Sequence, residues 1–430
     1  MTPTYPMEPP LSPKRLVESK RRPAQKQEKQ IRAAIPRLQK VVRDLQRQHD
    51  ELDVDLAVLS LARDAPPEVQ LTERHAQLKI QLKEAQDDLA AHVICLSWAL
   101  RLPVEVVEKI LILCLPEDQY ITPKRRTAPL LLCQICSMWR NVAVVTPALW
   151  HRLALELSRP RGGWKELLET WFGRSGNALL HFSLVPPSSL FSEVDMAYFD
   201  EHIVKCLSRY SERWKRLRLQ APPHSLRALV KNRMPNLKIL ELRVDENGPL
   251  EVFIPSAPRL VQLNLSENTD PIGIHVPWQQ LTALRVKRPL RWDKSLLLLA
   301  KCRQLRECQI TLSDDAAGGV VPPLCMPHLC HVVLSGSFGK DATDKFFDAA
   351  EFPQLETLQL VQAGPGTLCL NSSFANFARR SPGLVKLTVK IGDIAVKGLH
   401  DTVDSIPSLK EVVLIDGYNS RVPIRREGKA

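Results

Sequence analysis

The sequence predicts an α/β chain in which an N-terminal helical coiled coil and a small helical module precede an irregular repeat solenoid with parallel strands. Two periodicities carry that prediction: leucines every seven residues from Leu38 to Leu59, and nine copies of an apolar-x-x-apolar-x-apolar pattern from Trp214 to Leu414. The length of 430 residues independently asks for about two or three folding units. In chain order the expected parts are a disordered basic tail (1–28), a coiled-coil helical hairpin (29–98), the helical module (99–157), the repeat domain (158–423) and a short tail (424–430).

Residues 1–28 carry proline at 3, 6, 9, 10, 13 and 23 and few large apolar groups, too little to offset the entropy of ordering. They begin with no apolar stretch of the kind a secretory signal needs. The longest apolar runs in the chain, such as 129–133 and 296–300, fall far short of the roughly 20 residues of a membrane-spanning helix. The expectation is an intracellular protein, cytoplasmic or nuclear or both. In a reducing compartment its ten cysteines serve as small buried hydrophobes. The net charge of +12 suggests nucleic acid at first, but twelve basic against four acidic residues before His49 place +8 of it on the tail and the start of a helix. A charge run there is a solvated face, and Lys20-Arg21-Arg22 with Lys14-Arg15 is a candidate nuclear address.

From Ile31 the pattern becomes helical. Leu38, Leu45, Leu52 and Leu59, with Val41, Val42 and Leu56 on the same stripe, form a coiled-coil seam. Pro66-Pro67 interrupts it, and Leu71, Leu78, Leu82, Ala85 and Leu89 restart it. Two such helices either fold back on one another or self-associate with a second chain.

The segment 102–153 has three separated parts. Pro103 suits the first turn of a helix, where its missing N–H costs nothing, and Glu105 and Glu108 favour the positive helix end. Val106, Val107, Ile110, Leu111 and Cys114 then share an apolar face, and a polar insertion follows at 117–127. Leu132, Ile135, Cys136, Trp139 and Val142 repeat that spacing, and Leu149-Trp150 comes after a turn at Thr146-Pro147. So compact an apolar module leaves a face in need of a partner. The order Leu-Pro-x-Glu-x-x-x-x-Ile, Ile-Cys-x-x-Trp-Arg and Pro-x-Leu-Trp resembles the F-box, the helical module that docks on the Skp-type adaptor of cullin-RING ubiquitin ligases. The heptads upstream, and Trp164 to Leu184 with Arg174-Ser175-Gly176, resemble the F-box-like proteins of mushroom-forming fungi. The resemblance implies that Leu102, Pro103, Val106, Ile110, Ile135, Trp139, Leu149 and Trp150 pack the module or meet the adaptor. The implied partners are that adaptor, its cullin complex and an unidentified protein substrate.

The nine repeats start at Trp214, Leu237, Leu260, Leu281, Leu305, Leu329, Leu355, Leu384 and Leu409, in steps of 21 to 29 residues. In six of them a proline stands two residues before the first leucine, where it ends the preceding segment and starts a strand. Residues 226–232, 295–301, 343–350, 374–380 and 396–403 read as short helices between strands, and 243–257 and 266–280 as irregular. This resembles a degenerate leucine-rich repeat, with Asn268 alone at the family's asparagine position and Leu179/Phe182/Leu184 as an atypical first copy. Residues between the leucines are expected on the concave binding face. They include five basic side chains, Arg218, Arg243, Arg285, Lys287 and Lys390, against one acid, Glu241, which suits an acidic or phosphorylated protein partner.

Chemistry is not nominated. Cys133-Gln-Ile-Cys136 lacks a second pair to complete a zinc site, Gly336-Ser-Phe-Gly339-Lys340 lacks the phosphate-loop spacing, and no nucleophile elbow or His-Glu-x-x-His occurs. No cofactor, metal or catalytic residue is expected. The reading is a substrate-recruiting adaptor; the alternative is a nuclear or chromatin-associated interaction scaffold without a ligase role.

Overall fold

In a computed structural model the described residues are 12–19, 23–61, 69–96, 102–118, 120–156, 163–185, 199–244, 251–254, 256–336, 340–362, 371–390, 406–415 and 421–424. They form two compact units, one ending at Ile110 and one beginning at Leu111. No helix of the described residues is long and apolar enough to cross a membrane.

The first unit is helical. Helices α2 (Gln25–Leu61) and α3 (Val69–Cys95) pair antiparallel, His75 lying beside Asp53 and Cys95 clustering with Ile31. The two heptad runs therefore pair with each other within the chain. Leu52, Leu78 and Leu82 are buried in the seam, whereas Val41, expected on that stripe, is exposed and Val42 is half-buried in its place. A short helix α1 (Pro13–Ser19) occupies residues expected to be disordered. Leu16 and Val17 are the reason: Leu16 is buried with Ile31 and Cys95, and the Cys95 thiol donates to the Pro13 carbonyl oxygen at 3.2 Å. The hinge Pro66-Pro67 lies outside the described residues.

Helix α4 (Val104–Leu113) opens as the proline requires, with the N–H groups of Val106 and Val107 both donating to the Pro103 carbonyl at 3.0 Å. Val107 and Leu111 are its buried side chains, and Val106 faces solvent. The second expected helix is broken. A single turn at Leu132–Gln134 ends before Cys136, whose extended backbone (φ −159°, ψ 170°) resets the helical phase, and α5 spans Ser137–Val145. As a result Met138, Val142 and Ala143 are buried, while Trp139 is half-buried and Ile135 exposed. Trp150 is fully buried; its indole N–H donates to the Ala143 carbonyl at 2.7 Å and its ring meets Trp171 of α6 (Trp164–Arg174) edge-on at 4.9 Å.

Arg152–Glu156, at the end of the expected module, is the first strand, β1, of the main sheet. The 117–127 insertion runs beside it: buried Ile121 accepts from the Ala154 N–H at 2.8 Å.

The sheet continues through β2 (Leu180–Val185), β3 (Trp214–Ala221) and β4 (Ile239–Val244), the last two flanking α7 (Pro223–Val230). A two-residue strand β5 (Val252–Phe253) precedes β6 (Gln262–Leu265), and β7 (Ile274–His275) precedes β8 (Ala283–Leu290) and α8 (Trp292–Ala300). Next come β9 (Glu307–Leu312), β10 (Leu324–Cys325), β11 (His331–Gly336), α9 (Lys340–Ala349), β12 (Ala350–Glu351), β13 (Thr357–Gln362) and α10 (Ser372–Arg380). The sheet closes with β14 (Lys386–Lys390), β15 (Glu411–Ile415) and β16 (Arg421–Ile424). It has twelve strands in chain order, eleven of them parallel and β16 antiparallel, and β5–β7 and β10–β12 make two separate short pairs.

In every predicted pattern the second and third apolar positions fall on a strand of this sheet, because alternate residues point to one face. The register aligns Leu217, Leu240, Leu263, Leu284 and Cys308 in one row and Leu219, Leu242, Leu265, Val286 and Ile310 in the next, all buried. The first leucine of each copy after Trp214 closes a turn by donating to the carbonyl three residues before it, Leu237 to Met234, Leu260 to Ala257, and so on to Leu409 with Ile406. In six copies proline takes the second turn position, which its fixed φ favours. Helices appear where expected at α7, α8, α9 and α10; 396–403 lies outside the described residues. Asn268 is exposed, and the neighbouring Thr269 is buried in its stead, its hydroxyl 3.4 Å from the Leu242 carbonyl.

Candidate functional site

The sheet face opposite the leucine rows is polar. Register brings Ser183, Arg218, Glu241, Asn264, Arg285 and Gln309 side by side across β2, β3, β4, β6, β8 and β9. A groove of about 400 Å³ runs over the middle of this row, lined by Arg218, Gln220, Glu241, Arg243, Asn264, Ser266 and Lys287, with Val185 at one side. The Arg218 Nε donates to Glu241 Oε2 at 2.7 Å, and its guanidinium lies 4.9 Å from the centre of the Tyr120 ring. Burial, then the carboxylate of Glu241, push the Tyr120 hydroxyl well above the ordinary tyrosine range, so it stays protonated; it is buried without a hydrogen-bond partner among the described residues. On β2, burial and then the neighbouring His151, Lys215, Arg216 and Arg152 lower His181 to about 4, which leaves its ring neutral at physiological pH.

The positive charge of this face is therefore carried by arginine and lysine. Glu241 neutralises Arg218, whereas Arg243, Arg285 and Lys287 are exposed and make no ion pair among the described residues. Of the five basic residues the sequence nominates, Arg218, Arg243 and Lys287 meet at the groove and Arg285 stands beside Asn264 on the next strand. Lys390 is exposed on β14, away from the groove. The groove is lined by neither histidine nor cysteine, and its chemistry is that of holding an anionic side chain or phosphate by hydrogen bonds and charge. Tyr120 is the contributor that sequence reasoning missed, since a residue in a polar insertion carries no local sign that it will reach a strand 98 positions later.

The other nominated set lies in 102–150. Leu149 and Trp150 are fully buried and pack the interior, while Leu102, Ile110 and Trp139 are half-buried and Pro103 is exposed. Val106 and Ile135 are 39% and 51% exposed. Leu113, Leu131 and Val145, which the sequence did not single out, are exposed as well. No protein-family model matches the chain, and no curated protein matches it. Within the same segment Cys136 is used as a helix cap, its sulfur accepting from the Trp139 N–H at 3.5 Å, and burial raises the Cys133 thiol above its ordinary value.

Proposed function

We propose that the chain is a non-enzymatic adaptor: its 102–150 segment acts as an F-box-like module that docks on the Skp-type adaptor of a cullin-RING ubiquitin ligase, while the sheet binds a protein substrate. One observation carries the docking half. Val106 and Ile135, which the F-box resemblance nominates, stay in solvent, whereas the valines, leucines and isoleucines of the leucine rows from β3 to β14 are buried. The substrate half rests on the succession of parallel strands with leucines on one face, which we read as a leucine-rich-repeat solenoid whose polar face is the concave one. Its free cations favour an acidic or phosphorylated segment as the bound element.

The test is affinity purification of the full chain and of a Leu102→Ala/Pro103→Ala double variant, read by mass spectrometry. Loss of the Skp-type adaptor and cullin together, with other partners retained, supports the proposal. Retention of the adaptor by the double variant contradicts it and favours the scaffold alternative. Deleting 102–153 is a poorer choice, because it removes fully buried Trp150 and Leu153 and the first two of the five residues of β1. For the substrate half, Arg243→Glu/Lys287→Glu should release the substrate and leave the adaptor bound.

A further inference from the structure

The helical hairpin breaks its own apolar rule with three histidines, His49, His75 and His92, and two of them meet at one level. In α2 the positions 31, 35, 38, 42, 45, 49, 52 and 56 alternate at spacings of four and three, as do 71, 75, 78, 82, 85, 89 and 92 in α3. These steps keep one face of each helix turned to the other, and most of the positions are apolar. At 49 and 75 each seam carries histidine, and the two rings meet across the hairpin with centroids 4.5 Å apart. Asp53, one helical turn after His49, stands against both: its Oδ2 is 3.1 Å from His49 Nδ1 and its Oδ1 is 2.7 Å from His75 Nε2. Donor atoms from the three residues lie within 4.8 Å of one another.

Two features distinguish this cluster from a solvated charge pair. The Nδ1 and Nε2 atoms of His49 and the Nε2 of His75 are buried, and none makes a hydrogen bond of acceptable direction among the described residues, despite the short distances to Asp53. Buried ring nitrogens left in that state are costly, and leucine at either position would extend the seam without the cost. Convergent donors that are close but misaligned for a shared proton suit a common cation between them. Tetrahedral zinc, with bonds of about 2.0–2.1 Å to imidazole and carboxylate, sets its donors roughly 3.3 Å apart, a spacing that small side-chain rotations reach from here. Asp53 is more than half exposed, which gives an ion a path in from solvent and leaves room for water at the remaining position.

We infer that His49, Asp53 and His75 form a site for a divalent transition-metal ion, Zn²⁺ by its donor set, which staples α2 to α3. Two histidines and one carboxylate are drawn from both helices, so the ion would bind the closed hairpin and not its separated halves, and would hold the seam shut against a second chain. The site is independent of the adaptor reading and stands or falls without it.

The experiment uses the full chain without a polyhistidine tag, stripped by chelator and titrated at neutral pH with Zn²⁺ by calorimetry and with Co²⁺ by visible absorption. One equivalent of each metal is expected, with the intense Co²⁺ bands of four-coordination and a zinc-dependent rise in the melting temperature. His75→Leu and Asp53→Asn should each weaken binding by more than about 100-fold, beyond the 10–100-fold typical of losing an outer-shell partner. His49→Leu/His75→Leu makes the seam apolar at that level, so retained helicity by circular dichroism together with lost metal binding separates ligation from folding. No binding by the unaltered chain, undiminished binding in His75→Leu, or binding lost in Cys133→Ser/Cys136→Ser instead of the histidine variants would overturn the inference.

Discussion

Apolar side chains are treated in opposite ways by the sheet and by the segment from Val104 to Val145. Along the sheet, Leu217, Leu240, Leu263 and Leu284 stack in register and are wholly buried, each covered by the copies on either side. In the other segment Val106, Leu113, Leu131, Ile135 and Val145 remain in solvent beside fully buried Val107 and Leu111. The contrast separates two uses of the same chemistry. The leucine rows hold the fold together, and the exposed set is the surface that the proposed docking would use. Substitutions should accordingly be costly to stability in one place and nearly silent in the other.

The largest effect is expected where the two regions join. Trp150→Ala removes a fully buried indole, its hydrogen bond to Ala143 and its edge contact with Trp171, and should lower stability by about 3–5 kcal/mol in chemical denaturation. Leu263→Ala, in the leucine row, should cost about 2–5 kcal/mol by the same measurement. Gly336 ends β11 with φ +139°, and an added Cβ would run directly into the Leu312 carbonyl oxygen, so Gly336→Ala should cost about 1–3 kcal/mol from backbone strain. A cost for Ile135→Ala as large as for Leu263→Ala would dissolve the contrast.

A smaller effect concerns pH. The His181 value of about 4 in the fold lies below its ordinary 6.5, so between these limits the unfolded chain binds more protons than the folded one. Stability contributed by the neutral ring is present above pH 6.5 and is lost as pH falls toward 4; His151, lowered chiefly by burial, acts in the same direction. Replacing His181 by Asn should flatten the stability profile across that window, as read from denaturant midpoints at each pH. The smallest effect belongs to the exposed set, where Val106→Glu/Ile135→Glu should change stability by no more than about 0.5 kcal/mol per site.

What the sequence made legible follows the range of the interaction. Leucine patterns of the repeats and the helices between them depend on spacing within a few residues, and the second and third positions of all nine predicted patterns fall on strands. Strand β1 was concealed because Leu153 reads equally well as the end of the Pro-Ala-Leu-Trp turn. Trp139 is half-buried and not on one face with Ile135, because the helical spacing of the sequence is interrupted at Cys136, where the backbone is extended. The groove and the cluster of His49, Asp53 and His75 are less legible still. Tyr120 meets Arg218, and His49 meets His75, across separations where periodicity carries no information, and counting leucines at sevens passes over the histidines between them.

The proposed docking is tested most directly by measuring the affinity of a purified Skp-type adaptor for the intact chain and for Val106→Glu/Ile135→Glu, with denaturation curves run on both. The account predicts unchanged folding and at least about a hundredfold loss of affinity, the effect of two buried contacts worth more than about 1.4 kcal/mol each. Equal affinity in the folded double variant would contradict it.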